Sequence, residues 1–491
     1  MLPGVGFFGT GTLAHLLIDQ LQEQGFRIEG IWSPNLDDAQ QLSRMRSIPF
    51  YSTIIDKVLL LPSVQLIVTA CPPHYHNQIA SKACGIGKHV ICDWPPSHSL
   101  KDTIRMRKAA SNYPALITLF LTGLRFVPTF NIMRRLIIDD NYLGHIRLIN
   151  ATVMCDVISV YKEKSIIWDK HMGGGLLSLY GTNIIDIISF LTDYRAHRVH
   201  GMIHCFKQLS QNAIRFNTTE DFVNFQMELH PLIDGNNNNN KNDHHNDNGS
   251  MKTKIINYKQ TKLLTAIKDD PIIANIQLNG HHLNCQPKHE IYVYGTNGYL
   301  VCRDGDLYAF RTNNNNDNDD SNGIMTTTTT NALQQPLLND NNNNVFGHET
   351  LLYKLQDMPS TTMKHYFSYE TYNVYPKIYL IGIRLMIQAL KNAFHGTTTT
   401  TTTINNHHLI SSSTSTSMMN DNNSIVISNG GLNHDNNNQQ EERSENELIQ
   451  WIKDPVNQAV SFDDGIYLQT VLESIRSSSD LREWIRIHLF D

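Results

Sequence analysis

The chain has 491 residues and a formal net charge of −6, with 40 basic and 46 acidic side chains mixed along it. No basic stripe and no RNA- or DNA-reading motif is present, which argues against nucleic-acid binding. No apolar run approaches the ~20 residues needed to cross a bilayer as a helix, which argues against a membrane span.

The start, "MLPGVGFFGTGTLAHLLI", is apolar enough to imitate a signal peptide. It lacks a cationic leader, since the first Lys or Arg is Arg27. Val5–Phe8 reads better as a strand, followed by "GTG" and a helix from about Leu13 to Gln24 stopped by Gly25. Gly9, Gly11 and Ala14 spell GxGxxA between that strand and that helix. In this pattern the first glycine permits a tight turn. The second lets a pyrophosphate approach the backbone, and the small third residue lets helix and strand pack closely. Gly9, Thr10, Gly11, Thr12 and Leu13 are therefore expected to cradle a dinucleotide.

"FRIEGIW" is the second strand. It ends in "SPN", so Ser33 and Asn35 stand where an NAD-selecting acid would be expected, and no nearby Arg argues for a 2′-phosphate. NAD and NADP both stay open. Asp37 and Asp38 are expected to cap the helix "LDDAQQLSRM". "IPFY" is a third strand, and Thr53 and Asp56 have the spacing of a capping box for the helix after it. "VQLIVTA" is a fourth strand, whose tip carries Pro72, Pro73, His74 and His76. Alternation in an extended tip would put the two histidines on one side, but no further ligand completes a metal set. "KHVICD" is a fifth strand, ending in Asp93, Trp94 and Pro95, and a cis Trp94–Pro95 bond is expected there. "ALITLFL" is a sixth. Strands apolar on both faces, alternating with helices, predict a doubly wound parallel sheet.

Beyond residue ~145 this regular alternation is lost. Three tracts rich in Asn, Thr and Ser, at about 235–250, 312–345 and 396–447, bury too little apolar surface to offset chain entropy and read as disordered insertions. Seven scattered cysteines, several inside apolar runs, suit reduced thiols and a cytoplasmic setting. Secretion is the alternative; cleavage of the N-terminus would remove Gly9 and Gly11.

The "TACPPHYH" tip and, one helix later, "GIGKHVICDWPPS" together resemble the glucose–fructose oxidoreductase, inositol dehydrogenase and MocA family. That family shows T-P-x-x-x-H and then G-K-H-V-x-x-E-K-P. "LRFVPTF" and "NYLGHIRL" resemble its bridge between domains, and "MGGGLLSLYGTNIIDIISFL" its signature helix. Within the family the likeness is strongest to the animal proteins that carry a glucose–fructose oxidoreductase domain. The resemblance implies a Rossmann domain over 1–125 that holds NAD or NADP. It also implies an α/β domain over 126–491 with a large, mostly antiparallel open sheet. A sugar or polyol would lie between them, and two copies would pair through the open sheet. It places Pro72, His76, Asp93, Trp94 and Pro95 beside the cofactor, and Arg125 and Trp168 on the substrate pocket.

Hydride transfer to or from an alcohol needs a base for the hydroxyl proton and donors for its oxygen. Aligned through Gly175 and Gly181, the family's Asp, His and second Asp fall on Leu179, Asn183 and Asp186, and the Lys of E-K-P falls on Trp94. Leu cannot titrate, Asn is no base at neutral pH, and Trp carries no charge. Asp186 retains a carboxylate, in either a structural or a functional role. Tyr180, one turn from Asn183, could serve as an acid–base if Lys170 or His171 lowered its pKa. Two functions follow: a sugar or polyol oxidoreductase with a degraded catalytic signature, or an inactive dinucleotide-binding sensor or scaffold.

Overall fold

Strand β1 (Gly4–Phe8) is buried along its whole length, as a strand covered on both faces must be. It is followed by α1 (Thr12–Glu23), β2 (Arg27–Trp32), α2 (Leu36–Met45), β3 (Tyr51–Ser52), α3 (Ile55–Leu59), β4 (Val64–Thr69), α4 (His76–Gly85), β5 (His89–Cys92), α5 (Leu100–Ser111) and β6 (Thr118–Phe120). These strands pair in parallel in the order β3-β2-β1-β4-β5-β6. The order reverses between β1 and β4, the switch point at which doubly wound sheets open a ligand crevice. The computed structural model describes residues 2–160, 168–169, 173–206, 219–231, 271–283, 285–311, 349–356, 376–395 and 453–488. The three low-complexity tracts, Lys170 and His171 lie outside the described residues.

Two expected helix caps are replaced by neighbours. α2 is capped by Asn35, whose side chain accepts from the Asp37 amide at 3.0 Å, while Asp37 and Asp38 occupy its first turn. The Thr53–Asp56 box does not form. The N-cap of α3 is Ile54, one residue later than the spacing implied, and the Thr53 carbonyl instead accepts the Trp32 indole N–H at 2.9 Å.

Past β6 a 3-10 turn (Leu124–Phe126) and α6 (Pro128–Ile138) lead into β7 (Ile146–Met154) and α7 (Val157–Val160). α8 (Thr182–Thr192) follows, then β8 (Tyr194–His204), β9 (Phe222–Pro231), β10 (Ile272–Asn279), β11 (Lys288–Gly295), β12 (Gly298–Arg303), β13 (Asp306–Arg311) and β14 (Thr350–Tyr353). The remaining elements are α9 (Lys377–His395), α10 (Phe462–Leu481) and β15 (Ile485–Arg486). β7 to β15 form a nine-stranded sheet in the order β14-β13-β12-β11-β7-β10-β9-β8-β15, antiparallel except for the β7–β10 pair.

One face of this sheet is core: Ala274, Ile276 and Leu278 of β10 are buried, alternating with half-buried neighbours. The other face carries Asn150, Asn275, Tyr292, Tyr294 and Tyr299, half-buried and linked by ring contacts and an Asn275–Asn150 hydrogen bond. α8 is apolar nearly all round, with Ile184, Ile185, Ile187, Ile188 and Leu191 fully buried, which makes it a central helix rather than a surface one. The two sheets are locked together at the chain's close. A Cβ on Gly123 would lie 2.0 Å from the Gly382 carbonyl carbon of α9, and one on Gly465 of α10 would lie 2.2 Å from the Phe120 ring. Both glycines exist for close approach between the halves.

Candidate functional site: a crevice between strand tips and the central helix

The crevice begins at the turn after β1. Gly9 has φ 136°, and a Cβ there would lie 2.0 Å from the Ala70 carbonyl oxygen at the β4 tip, so only glycine fits. Gly11 is the extended N-cap of α1 and offers no side-chain cap. A Cβ on it would meet nothing within 4 Å. Thr12 is exposed, Thr10 and Leu13 half-buried. An uncapped helix N-terminus behind an open glycine is a cradle for a pyrophosphate. At the β2 end the buried Ser33 hydroxyl sits 3.3 Å from that of Thr10 and accepts from the Asn35 amide. Asn35 uses its Oδ1 as the cap of α2, which leaves its Nδ2 as the group it could offer a ribose.

The β4 and β5 tips form the next wall. Pro72 leads into a 3-10 turn (Pro73–Tyr75) rather than an extended tip. His74 and His76 therefore part company: His74 stays half-exposed beside the Tyr75 ring, and His76 is fully buried. Among the described residues no three His, Cys, Asp or Glu side chains gather closely enough to hold a metal ion. Asp93 is anchored through its amide to the Thr69 hydroxyl at 3.2 Å, and its carboxylate accepts from the Trp94 amide at 2.7 Å. Burial pushes its carboxyl up to about 7. The Trp94–Pro95 bond is cis. The Trp94 ring packs on Phe120 at 4.9 Å, and Phe120 packs on Phe462 of α10 at 4.8 Å. The buried Trp94 indole N–H has no hydrogen-bond partner among the described residues. The indole thus forms the near end of a three-ring stack that joins the crevice wall to the second domain.

The glycine loop before α8 closes the crevice. A Cβ on Gly173 (φ 77°) would come within 2.9 Å of Pro73 and 3.3 Å of Pro95, so this loop seats against both tips at once. Gly175 makes room for Glu220, whose carboxylate accepts from the Leu177 amide and from Arg476. Neither Glu220 nor Arg476 stood out in the sequence, since each becomes meaningful only against a loop some 45 to 300 positions away. Leu177–Gly181 is a π-turn, a form that recurs at functional sites because it re-aims side chains.

On this helix Leu179 is half-buried, and the Asn183 amide donates to the Leu179 carbonyl at 3.3 Å. Tyr180 is fully buried, edge-on to Tyr379 at 6.0 Å and bonded to the Cys155 thiol. Asp186 is 1 % exposed and takes two hydrogen bonds from Arg125, at 3.0 and 2.5 Å. Burial pushes the Asp186 carboxyl up while the guanidinium pulls it down. Arg125 also donates to the Gln458 carbonyl. Trp168 is buried, at 3 % exposure. The structure therefore gathers the Gly9–Leu13 turn, Ser33, Pro72, Asp93, Trp94, Pro95 and the glycine loop around one crevice. Arg125 and Asp186 are committed to each other, and Tyr180 to the packed interior.

Residues 4–119 match the model of an oxidoreductase family with an NAD-binding Rossmann fold, that of glucose–fructose oxidoreductase, inositol dehydrogenase and MocA. The likeness extends across the whole chain: it is 28% identical over 490 residues to glucose-fructose oxidoreductase domain-containing protein 2 of Xenopus tropicalis, covering 99% of this chain and 94% of that one. Residues 4–119 are thus similar to this family's NAD-binding domain, and the chain over its length to these relatives. Among solved structures, levoglucosan dehydrogenase in complex with NADH and L-sorbose shares the fold at a TM-score of 0.59 and 12% identity, over 99% of both chains. The super-repressor mutant of Gal80p from Saccharomyces cerevisiae does so at 0.58 and 13%, over 99% of this chain and 98% of that one. This likeness agrees with the order of the parallel sheet and with the glycine turn after β1.

Proposed function

We propose that the crevice binds NAD or NADP, with the pyrophosphate over the turn from Gly9 to Leu13 and the nicotinamide end toward Asp93, Trp94 and Pro95. The observation that carries this reading is the cradle at Gly11: open space in front of an uncapped helix N-terminus, at the switch point of the sheet. Thr10 and Ser33 would receive the adenosine ribose or its 2′-phosphate. The dinucleotide would supply a hydride acceptor or donor.

The chain's own residues then limit the chemistry. Toward a sugar or polyol seated between the domains, Asp93 is the strand-tip group best poised to take or give a proton near neutral pH, because burial brings it to about 7. Trp94 can wall the nicotinamide end but cannot hold an oxygen as a cation would. Asn183 can donate a hydrogen bond but cannot act as a base. Asp186 orients Arg125 rather than a substrate.

These limits favour a second reading, a dinucleotide-binding sensor or scaffold without turnover. Its specific support is the pairing of Asp186 with Arg125, which occupies the carboxylate left from the family's signature. A protein described as a super-repressor has the same fold, so a role other than catalysis is compatible with it. We further propose pairing of two copies through the tyrosine-bearing sheet face, and a cytoplasmic setting suited to cysteines of which Cys71, Cys84, Cys92, Cys155 and Cys302 are buried. No helix among the described residues is long and apolar enough to cross a membrane.

The deciding experiment is a panel of sugars and polyols with each oxidised dinucleotide, followed by the absorbance of the reduced nicotinamide. Turnover supports the oxidoreductase. Binding with no turnover across the panel supports the sensor.

A further inference from the structure

His76 opens α4 at 0 % exposure and touches both strand tips. Its Nε2 lies 2.8 Å from the Cys71 carbonyl oxygen at the β4 tip. Its Nδ1 lies 3.1 and 3.2 Å from the carbonyl oxygens of Pro95 and Pro96, past the β5 tip. All three oxygens only accept, whereas a neutral imidazole has a single N–H. A neutral ring can hold one tip at a time, and only an imidazolium could hold both. Thr69 joins the two strand ends through Cys92 and Asp93, but beyond it Pro72, Pro73, Pro95 and Pro96 have no backbone N–H with which the turns could hold each other. They nevertheless share a seat, since the Gly173 loop lies against Pro73 and Pro95 together.

We propose that His76 is a positioning residue of the crevice: a one-proton clamp whose tautomer decides whether the β4 tip or the β5 turn is held. This rests on reading the crevice as the dinucleotide site. With Nε2 protonated the ring holds Cys71 and leaves the Pro95–Pro96 carbonyls to rearrange; with Nδ1 protonated the reverse holds. The seat of the Gly173 loop, and with it the start of the central helix, then shifts with the tip that is free. Burial supports the one-proton state, since it lowers the ring's pKa to about 4. The titratable groups around this corner are Cys71 on the β4 tip, His74 on the 3-10 turn, Asp93 and His98 on the β5 turn, and Asp102 of α5, which bonds to Asn77 of α4. His74 is the one among them that bears directly on His76, and its charge would lower the ring further.

The test uses the full chain and two substitutions, His76→Phe and His76→Gln. Phe keeps a buried ring and removes both nitrogens. Gln restores an NH2 donor group and a carbonyl acceptor and serves as the conservative rescue. Backbone amide exchange is followed at Cys71, His74 and Tyr75 on one tip, at Asp93, Trp94 and Ser97 on the other, and at β1 and β2 as reference. Loss of one net hydrogen bond corresponds to roughly tenfold faster local opening. The expected result is about that increase at both tips in His76→Phe, a smaller one in His76→Gln, and none in β1 or β2. Imidazole nitrogen NMR of the wild type at pH 7 is expected to show two neutral tautomers in exchange. Unchanged tips in His76→Phe, uniform loosening of the whole parallel sheet, or a doubly protonated or single fixed tautomer would each overturn the clamp. Titration of the same proteins with NADH separates the two claims. A wild type that binds no dinucleotide sinks the reading of the crevice, and the exchange and NMR results still decide the clamp.

Discussion

Arg125 grips Asp186 with two N–H donors and so ties the 3-10 turn after β6 to the central helix α8. The network continues: Arg125 approaches Asp464 of α10 at 3.7 Å, and Asp464 pairs with Arg195 of β8 at 3.1 Å. Asp186 is thereby part of the strut that sets one domain against the other. Asp186 is 1 % exposed on a helix whose buried residues include Ile184, Ile185, Ile187 and Ile188, so its charge without a partner would be costly there.

Removing one member of that pair should be costly. Asp186→Asn leaves a buried guanidinium short of a counter-charge and is expected to destabilise the fold by about 3–5 kcal/mol. The double variant Arg125→Met, Asp186→Leu should recover a good part of that loss. Denaturant midpoints of the three proteins measure it; a loss under about 1 kcal/mol in Asp186→Asn would show that the strut carries little.

The two turn glycines should behave oppositely. Gly9→Ala forces a Cβ into the Ala70 carbonyl at a positive φ, and a loss of roughly 3 kcal/mol or more is expected. Gly11→Ala meets no protein atom, so stability should change by no more than about 0.5 kcal/mol. Its dinucleotide affinity should nonetheless fall at least roughly tenfold, because the methyl occupies the space reserved for the pyrophosphate. Equal affinity in Gly11→Ala and wild type would remove the cradle from the account.

Asp93 makes stability depend on pH. Its carboxyl is raised from 3.8 to about 7 by burial, so between those values the folded chain keeps a proton that the unfolded chain releases. The stability tied to that proton is fully present below pH 3.8 and is lost as pH rises through about 7. Asp93→Asn should flatten this slope and be more stable than wild type at pH about 8, on the order of 2 kcal/mol. Urea midpoints at about pH 5 and 8 compare the two; parallel profiles would show that Asp93 ionises like an exposed carboxyl.

Much of the first domain is legible in the sequence because its signals are local. The GxGxxA turn, the helix stop at Gly25 and the cis bond at Trp94–Pro95 each depend on residues a few positions apart. What the sequence conceals is long-range. The spacing of Thr53 and Asp56 implies a capping box, but the helix starts one residue later, with Ile54 as its N-cap. The real capping box lies at Ser461 and Asp464, beyond the third low-complexity tract. Asp186 showed itself as a carboxylate in a signature helix, but its partner lies 61 positions away and could not be read from spacing. The 3-10 turn that buries His76 and leaves His74 outside depends on how the tip packs against β5.

The proposed loss of proton machinery can be tested by substitution. The triple variant Trp94→Lys, Leu179→Asp, Asn183→His introduces the residue types that the resemblance leads one to expect. It is expected to raise hydride transfer on the sugar and polyol panel above the wild-type level, by about tenfold or more if a positioned base is what the chain lacks. Wild-type turnover that the triple variant does not exceed would show that another group already moves the proton.

The central claim is that the crevice behind Gly9 and Gly11 holds a nicotinamide dinucleotide. Calorimetric titration of the full chain with NAD+, NADH, NADP+ and NADPH tests it most directly. The account predicts saturable one-to-one heat with at least one of the four, with affinity at least roughly tenfold weaker in Gly11→Ala at nearly unchanged stability. Absence of binding by all four would contradict it.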